Sequence, residues 1–279
     1  MTVKIITDST SDLPLKLAEN LGVEIVPGYI SFGKDTFRDG VEISRSEFYR
    51  QLMEYPLPPV TSEASVKDFT QVYLENQYTP DGIVSIHISS KISKMYESAV
   101  KGSKKAKPDW PLAVLDSGLA SIGLGLAVVN AAKLAQEGKQ QPEIVKETKK
   151  AFGQIEMLGL FDTLKYAARG GHVTRHIKEL SAMHRVKPLL TFRKGELVSE
   201  GLVKTYETGI ERLYQFLANA PKDQDIGIAY TTGLDTARAL RERLGSAFPL
   251  ERIYLTQISA AIGAHCGPDA IFVAKRILR

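Results

Sequence analysis

Short apolar, β-branched runs alternate with stretches of helical periodicity along this chain. That rhythm restricts it to an α/β architecture, with helices covering strands laid side by side. Val3–Thr7 reads as a buried strand, and Asp8-Ser9-Thr10-Ser11-Asp12 as a polar turn after it. Leu13–Leu21 is predicted as a helix, with Asp12 as N-cap, Pro14 in the first turn and Gly22 past the end. Val23–Phe32 reads as a second strand and Lys34–Gly40 as a loop or hairpin. Ser44 is placed to cap a helix through Tyr55, with Glu47 at the capping-box position, and Pro56–Pro59 cannot continue it. Val66–Asn76 (helix), Gly82–Ile88 (strand), Ser93–Lys105 (helix), Leu112–Leu115 (strand) and Ser121–Gln136 (helix) keep the rhythm. The first half should therefore form a mainly parallel sheet with helices on both faces.

The second half has a different texture. Helical stretches at Glu143–Phe152, Thr163–Arg169, Glu207–Ala218 and Thr236–Leu244 alternate with strands at Met157–Phe161, Ile226–Thr231 and Arg252–Ile258. Between them, Lys187–Arg193 and Glu196–Thr205 flank Lys194-Gly195, a two-residue turn of hairpin type. A hairpin among alternating elements predicts a mixed sheet with helices. At roughly 150 residues per domain the chain should make two α/β domains, placed here at 1–150 and 151–279.

Composition removes several classes. With 43% hydrophobic and 24% charged residues, the chain is neither disordered, collagen-like nor a coiled coil. A net charge of +4 is too small to imply a nucleic-acid partner, although basic residues gather at Lys101–Lys107 and Arg169–Lys178. Cys266 is the lone cysteine, so no internal disulfide forms, as suits a reducing cytoplasm. The N-terminus runs into a strand rather than an apolar leader. No apolar run reaches the ~18–20 residues of a membrane helix; even Leu112–Ala135 is broken by Asp116, Asn130 and Lys133. The expectation is a cytoplasmic protein without a transmembrane segment, capable at most of peripheral or transient membrane contact.

Hydroxyls cluster where strands end: Ser9-Thr10-Ser11, Thr61-Ser62, Ser89-Ser90 with Ser93, and Ser117. In an open α/β sheet, ligands sit outside the carboxyl ends of strands, beside helix N-termini. Each cluster alone fits a helix cap as well as an anion site; several on one face would make a polar pocket. Familiar enzyme strings are missing. There is no G-x-S-x-G elbow and no P-loop lysine motif. Gly123-Leu124-Gly125 lacks the third glycine of a dinucleotide fingerprint and reads as close helix packing. Cys266 reads as a packed thiol. Asp8, Asp12 and Asp116 lack a D-x-D metal or phosphoryl spacing, and the histidines lack metal-ligand spacing. No metal or cofactor is expected. His265, in Ala264-His265-Cys266-Gly267-Pro268, reads as lying in a turn, where functional and structural readings both fit.

Taken in order, these strings resemble the DegV family, bacterial fatty-acid-binding proteins that serve as carrier subunits of fatty acid kinase. Asp8-Ser9-Thr10-Ser11-Asp12-Leu13-Pro14 is similar to the family's opening D-S-x-x-D-L-P, and Phe37-Arg38-Asp39-Gly40 to its aromatic-x-D-G loop. Pro59-Val60-Thr61-Ser62 resembles its P-x-T-S turn, and Ser85-Ile86-His87-Ile88-Ser89-Ser90-Lys91-Ile92-Ser93 its S-I-x-I-S-S-x-L-S. Tyr96-Glu97-Ser98-Ala99, Asp116-Ser117, Thr163-Leu164-Lys165-Tyr166, Gly170-Gly171, Lys187-Pro188 and His265-Cys266-Gly267-Pro268 complete the set.

The resemblance implies two α/β domains enclosing one long-chain fatty acid. Thr61 and Ser93 would hold its carboxylate, with Ser62, Ser89, Ser90 and His265 as secondary candidates. It also implies no catalysis by the chain alone, and a fatty acid kinase as partner that phosphorylates the presented carboxylate toward phospholipid synthesis. Four places depart from the family pattern. Lys94-Met95 occupies a normally small turn, His172 stands where G-G-R is usual, Lys204 stands for an Arg, and Asp269 replaces a glycine. His172 and Lys204 fall where the kinase is expected to face. The rival reading is an enzyme for a small anionic metabolite, with Asp8, Asp116 and His265 doing acid/base work in a strand-end pocket. A lesser one is a module for an amphiphile with a larger head.

Overall fold

The computed structural model describes residues 3–169 and 186–277. Within them the first half holds a parallel sheet of β1 (Lys4–Asp8), β2 (Glu24–Val26), β6 (Ile83–His87) and β7 (Leu112–Asp116), in the order β2-β1-β6-β7. A small antiparallel sheet stands beside it, in which β3 (Tyr29–Phe32) lies between β4 (Asp35–Arg38) and β5 (Val60–Ser62). The second half builds a six-stranded mixed sheet from β8 (Ile155–Leu160), β9 (Lys187–Arg193), β10 (Glu196–Val203), β11 (Ile226–Tyr230), β12 (Ile253–Gln257) and β13 (Ile271–Arg276). Its order is β10-β9-β8-β13-β11-β12, and only β11 and β12 run parallel. The expected pair of sheets, parallel first and mixed second, is therefore present.

One helix holds the two sheets together. α5 (Ser121–Gln136) buries twelve of its sixteen residues, so it is apolar nearly all round, as a helix walled on both sides must be. On one side it meets β1 and β6 and on the other β8, β11 and β13. α1 (Leu15–Leu21) and α6 (Gln141–Phe152) pack beside it, while α3 (Val66–Glu75) and α4 (Met95–Ala106) pair on the other face of the parallel sheet. The large sheet sorts its residues by the two-residue period of a strand. Leu158, Leu160, Ile226, Ile228, Ile271 and Val273 face a core built with α8 (Tyr206–Ala218) and α9 (Leu234–Leu244). Met157, Ala229, Phe272 and Ala274 face the core that α5 shares. Close approach needs glycine on both partners: a Cβ on Gly123 would collide with the Met157 thioether, and one on Gly227 with Ile122. The Gly123-Leu124-Gly125 string is thus helix packing, as read.

Local expectations fail at five points, each for a physical reason. The Val23–Phe32 run is two strands in different sheets, because Pro27-Gly28 interrupts it between β2 and β3. The P-x-T-S segment is a strand, β5, with Thr61 opposite Ile30 and Ser62 opposite Tyr29. Asp12 does not cap α1, whose preceding residue is Pro14 without a side-chain bond. Instead Asp12 sits at φ 50°, and its carboxylate reaches across the molecule. His265 lies not in a turn but on a short helix, α10 (Ala260–Cys266), which packs on α7 (Lys165–Arg169). Ser44 does accept the Glu47 N–H at the start of α2 (Arg45–Glu54), but the Glu47 carboxylate turns to Arg50 and Gln51. The reciprocal box forms at Ser65 and Asp68 of α3.

The packing of α5 makes a test. Gly227→Val suits a strand by local propensity yet drives a branched side chain into Ile122, and should cost about 1–3 kcal/mol in urea unfolding. An unchanged midpoint would show that α5 is not seated where described.

Candidate functional site

Between the ends of the parallel strands and the α5 face of the large sheet lies a cavity of about 270 Å³. This approaches the ~300 Å³ lower end of small-molecule pockets. Its greasy wall comes from both sheets: Ile88 and Ile92 follow β6, Phe161 and Phe272 come from the β8 and β13 region, and Phe192 and Leu197 from the β9–β10 hairpin. Phe161 and Phe272 meet edge to face at 5.2 Å. The hairpin is held across the first sheet at its tip, where the buried Ser89 hydroxyl donates to the Gly195 carbonyl at 2.7 Å.

The polar wall gathers Thr61, Ser62, Ser93, Lys94 and His265. Thr61 Oγ1 and His265 Nε2 are 2.9 Å apart. Ser93 Oγ accepts the Met95 N–H at 3.1 Å, which leaves its own proton to donate elsewhere. Met95 draws the two hydroxyls to one wall: it is buried at the start of α4, and its Sδ accepts the Ala64 N–H, three residues past Thr61, at 3.3 Å. The bulk that departs from the family's small turn is therefore used in packing.

Two buried carboxylates aim His265. Asp39 of the aromatic-x-D-G loop accepts the N–H groups of Ala260 and Ala261 at 3.0 and 3.1 Å. Asp12 accepts the Ser259 N–H at 2.7 Å and the Ser121 hydroxyl at 2.5 Å. Together they satisfy successive donors at the start of α10, where negative charge is favoured. The Tyr49 hydroxyl adds a bond to the Ile258 carbonyl at 3.1 Å. Arg45 crosses between the halves, donating to Thr256 Oγ1 and the Leu13 and Gln257 carbonyls. Burial pushes the Asp12 carboxyl from 3.8 up to about 6, against the pull of Arg45 and the bonds from Ser121 and Ser259. Burial raises Asp39 as well, opposed by the Ala261 and Ala260 N–H groups. Cys266 is buried in the same wall, and burial, with Asp12 nearby, pushes its thiol well above the ordinary range. It is a packed thiol.

The other sequence candidates lie elsewhere. Ser90 donates to Asp116 at 2.5 Å and Ser89 is held by Gly195; neither lines the cavity. Asp8 is fully buried, bonded to His87 Nδ1 at 2.8 Å and to the Thr10 N–H at 3.0 Å. Asp116 serves Ser90 and the Gly118 N–H. Asp8, Asp116 and His265 therefore do not converge on one pocket, as acid/base work would require. Lys204 is exposed after β10, and His172 lies outside the described residues. Among the described residues no three His, Cys, Asp or Glu side chains could hold a metal, and no helix is long and apolar enough to cross a membrane. Sequence reasoning missed α10 and the roles of Asp12 and Asp39. The helix had a signal: Ser259 as N-cap and Gly267-Pro268 beyond its end.

A family model described as "Uncharacterised protein, DegV family" matches residues 2–276. The chain belongs to the DegV family. A DegV domain-containing protein of Caldanaerobacter subterraneus is 31% identical over 271 residues, 96% of each chain. Protein DegV of Bacillus subtilis is 25% identical over 275 residues, 97% of this chain and 98% of that one. Among solved structures, a DegV family protein from Thermus thermophilus, described for its fatty acid binding, superposes with a TM-score of 0.89 at 30% identity, covering 99% and 100% of the two chains. Bacillus subtilis DegV, described as a fatty acid binding protein, shares the fold at a TM-score of 0.90 and 24% identity over the full length of both.

Asp12 makes the site pH-sensitive in a calculable direction. Its folded-state value lies above its ordinary one, so its contribution to stability is full below pH 4 and is lost as pH rises through 6. The stability difference between the parent and Asp12→Asn should therefore fall by about 2 kcal/mol from pH 4 to pH 7 in urea titrations. A difference that stays flat with pH would mean that Asp12 titrates normally.

Proposed function

We propose that this chain is a cytoplasmic, non-catalytic carrier that holds one long-chain fatty acid between an N-terminal lobe, 1–150, and a C-terminal lobe, 151–279. The observation that carries the reading is a single cavity with an apolar wall from both sheets and Thr61, Ser93 and His265 in its polar wall. An alkyl acid needs both. Removing about 14 methylenes of a sixteen-carbon tail from water gains ~11 kcal/mol gross, before ordering costs. The carboxylate cannot be buried unpaired, and each hydroxyl donor contributes on the order of 1.5–3 kcal/mol to a charged acceptor. In this reading His265 Nε2–H donates to Thr61 Oγ1, which turns the Thr61 proton toward the carboxylate beside that of Ser93. The fatty-acid-binding descriptions of the Thermus thermophilus and Bacillus subtilis relatives support the ligand class.

The same reading has the carrier present its carboxylate to a partner fatty acid kinase, as the family resemblance implies, with the exposed Lys204 available to that partner. Hydroxyls suit a hand-over, because they hold the anion without the tight ion pair an arginine fork would make.

Two measurements test the proposal. Solvent extraction and mass spectrometry of protein purified from cells should yield a long-chain fatty acid at about one per chain; a polar metabolite would point to an enzyme pocket. Thr61→Ala with Ser93→Ala should weaken palmitate binding more than tenfold with little change in melting temperature. Undiminished affinity would remove the head-group assignment.

A further inference from the structure

The carboxylate grip described above relies on neutral donors, yet the same wall carries a cation. Lys94 lines the cavity directly after Ser93, is exposed, and immediately precedes α4. It has no ion-pair partner within 4.0 Å among the described residues. Its neighbour Lys91, by contrast, faces Glu196 of the hairpin at 3.8 Å. Among the described residues, the one carboxylate in the cavity wall is Glu63, two residues past Thr61, and it is not paired with Lys94. Glu97, in the first turn of α4, is exposed and also unpaired with it.

Resting on the carrier reading, we infer that Lys94 is a specificity-determining residue for the head group, selecting ionised acids over neutral amphiphiles with the same tail. Two hydroxyls can donate to any oxygen with a lone pair, so alone they would hold an alcohol or ester as well as an acid. Charge assistance strengthens such bonds roughly twofold, a modest filter. An ammonium on the wall adds attraction only when the head is charged, and its exposed setting makes that attraction sensitive to salt. Glu63 acts in the opposite sense, since it repels the same anion. A long flexible stem lets Lys94 pair with the head and then swing into water, which a buried arginine could not do.

The test measures palmitate and hexadecan-1-ol, both delivered from cyclodextrin, binding to the full chain, Lys94→Met and Glu63→Gln at about 20 mM and 500 mM salt. Lys94→Met should weaken palmitate about two- to fivefold at low salt and flatten its salt dependence, while leaving hexadecan-1-ol unchanged. Glu63→Gln should tighten palmitate and leave the alcohol unchanged. Equal losses for acid and alcohol, or an undiminished salt dependence in Lys94→Met, would overturn the inference and leave the carrier reading standing. If the parent chain binds neither ligand, the carrier reading falls and this inference with it.

Discussion

The site depends on two carboxylates that the protein buries at some cost. Asp12 and Asp39 belong to the first half of the chain, yet Asp39 spends both its oxygens on the N–H groups of Ala260 and Ala261, and Asp12 one of its own on that of Ser259. A helix start needs such acceptors, and here they come from more than two hundred residues away in sequence. The helix so fixed carries His265 and Cys266 to the cavity wall. That grip seats the helix so that His265 meets Thr61 at 2.9 Å. The raised carboxyl of Asp12 records what the arrangement costs, since burial disfavours its charge even with three groups compensating.

Around this clasp the fold supplies the greasy half of the cavity. α5 fills the space between the sheets along most of its length, and the cavity opens where it begins, at Ala120 and Ser121. Beyond that point Phe161, Phe192 and Phe272 close the space with rings rather than with backbone. The β9–β10 hairpin leans over the first sheet, tied by Ser89, and contributes Phe192 and Leu197. The Ser89 hydroxyl, a candidate for the ligand by sequence, instead holds a wall in place.

Much of this was legible in the sequence because periodicity reports burial directly. The parallel sheet, the mixed sheet, the Lys194-Gly195 hairpin and the all-round apolar α5 each follow from spacing or composition within one segment. Thr61, Ser93 and His265 were picked from family-like strings, and all three reach one wall. What stayed hidden was set by tertiary contact. Asp12 reads locally as a cap for the helix two residues on, and only the folded chain reveals a stronger claim from Ser259. β5 is three residues between prolines and a capping serine, too short for a period, and it exists because Tyr29–Ser31 offers it an edge. Ser89, Ser90 and Ser93 are alike in sequence, and their separate fates depend on what each happens to face.

The central claim is that an alkyl acid lies in this cavity with its head between Thr61 and Ser93. A crystal structure of the chain bound to palmitate tests it most directly. The account predicts a carboxylate within hydrogen-bond distance of Thr61 Oγ1 and Ser93 Oγ, and a tail running among Phe161, Phe192 and Phe272. A tail bound elsewhere, or a head group turned away from both hydroxyls, would contradict it.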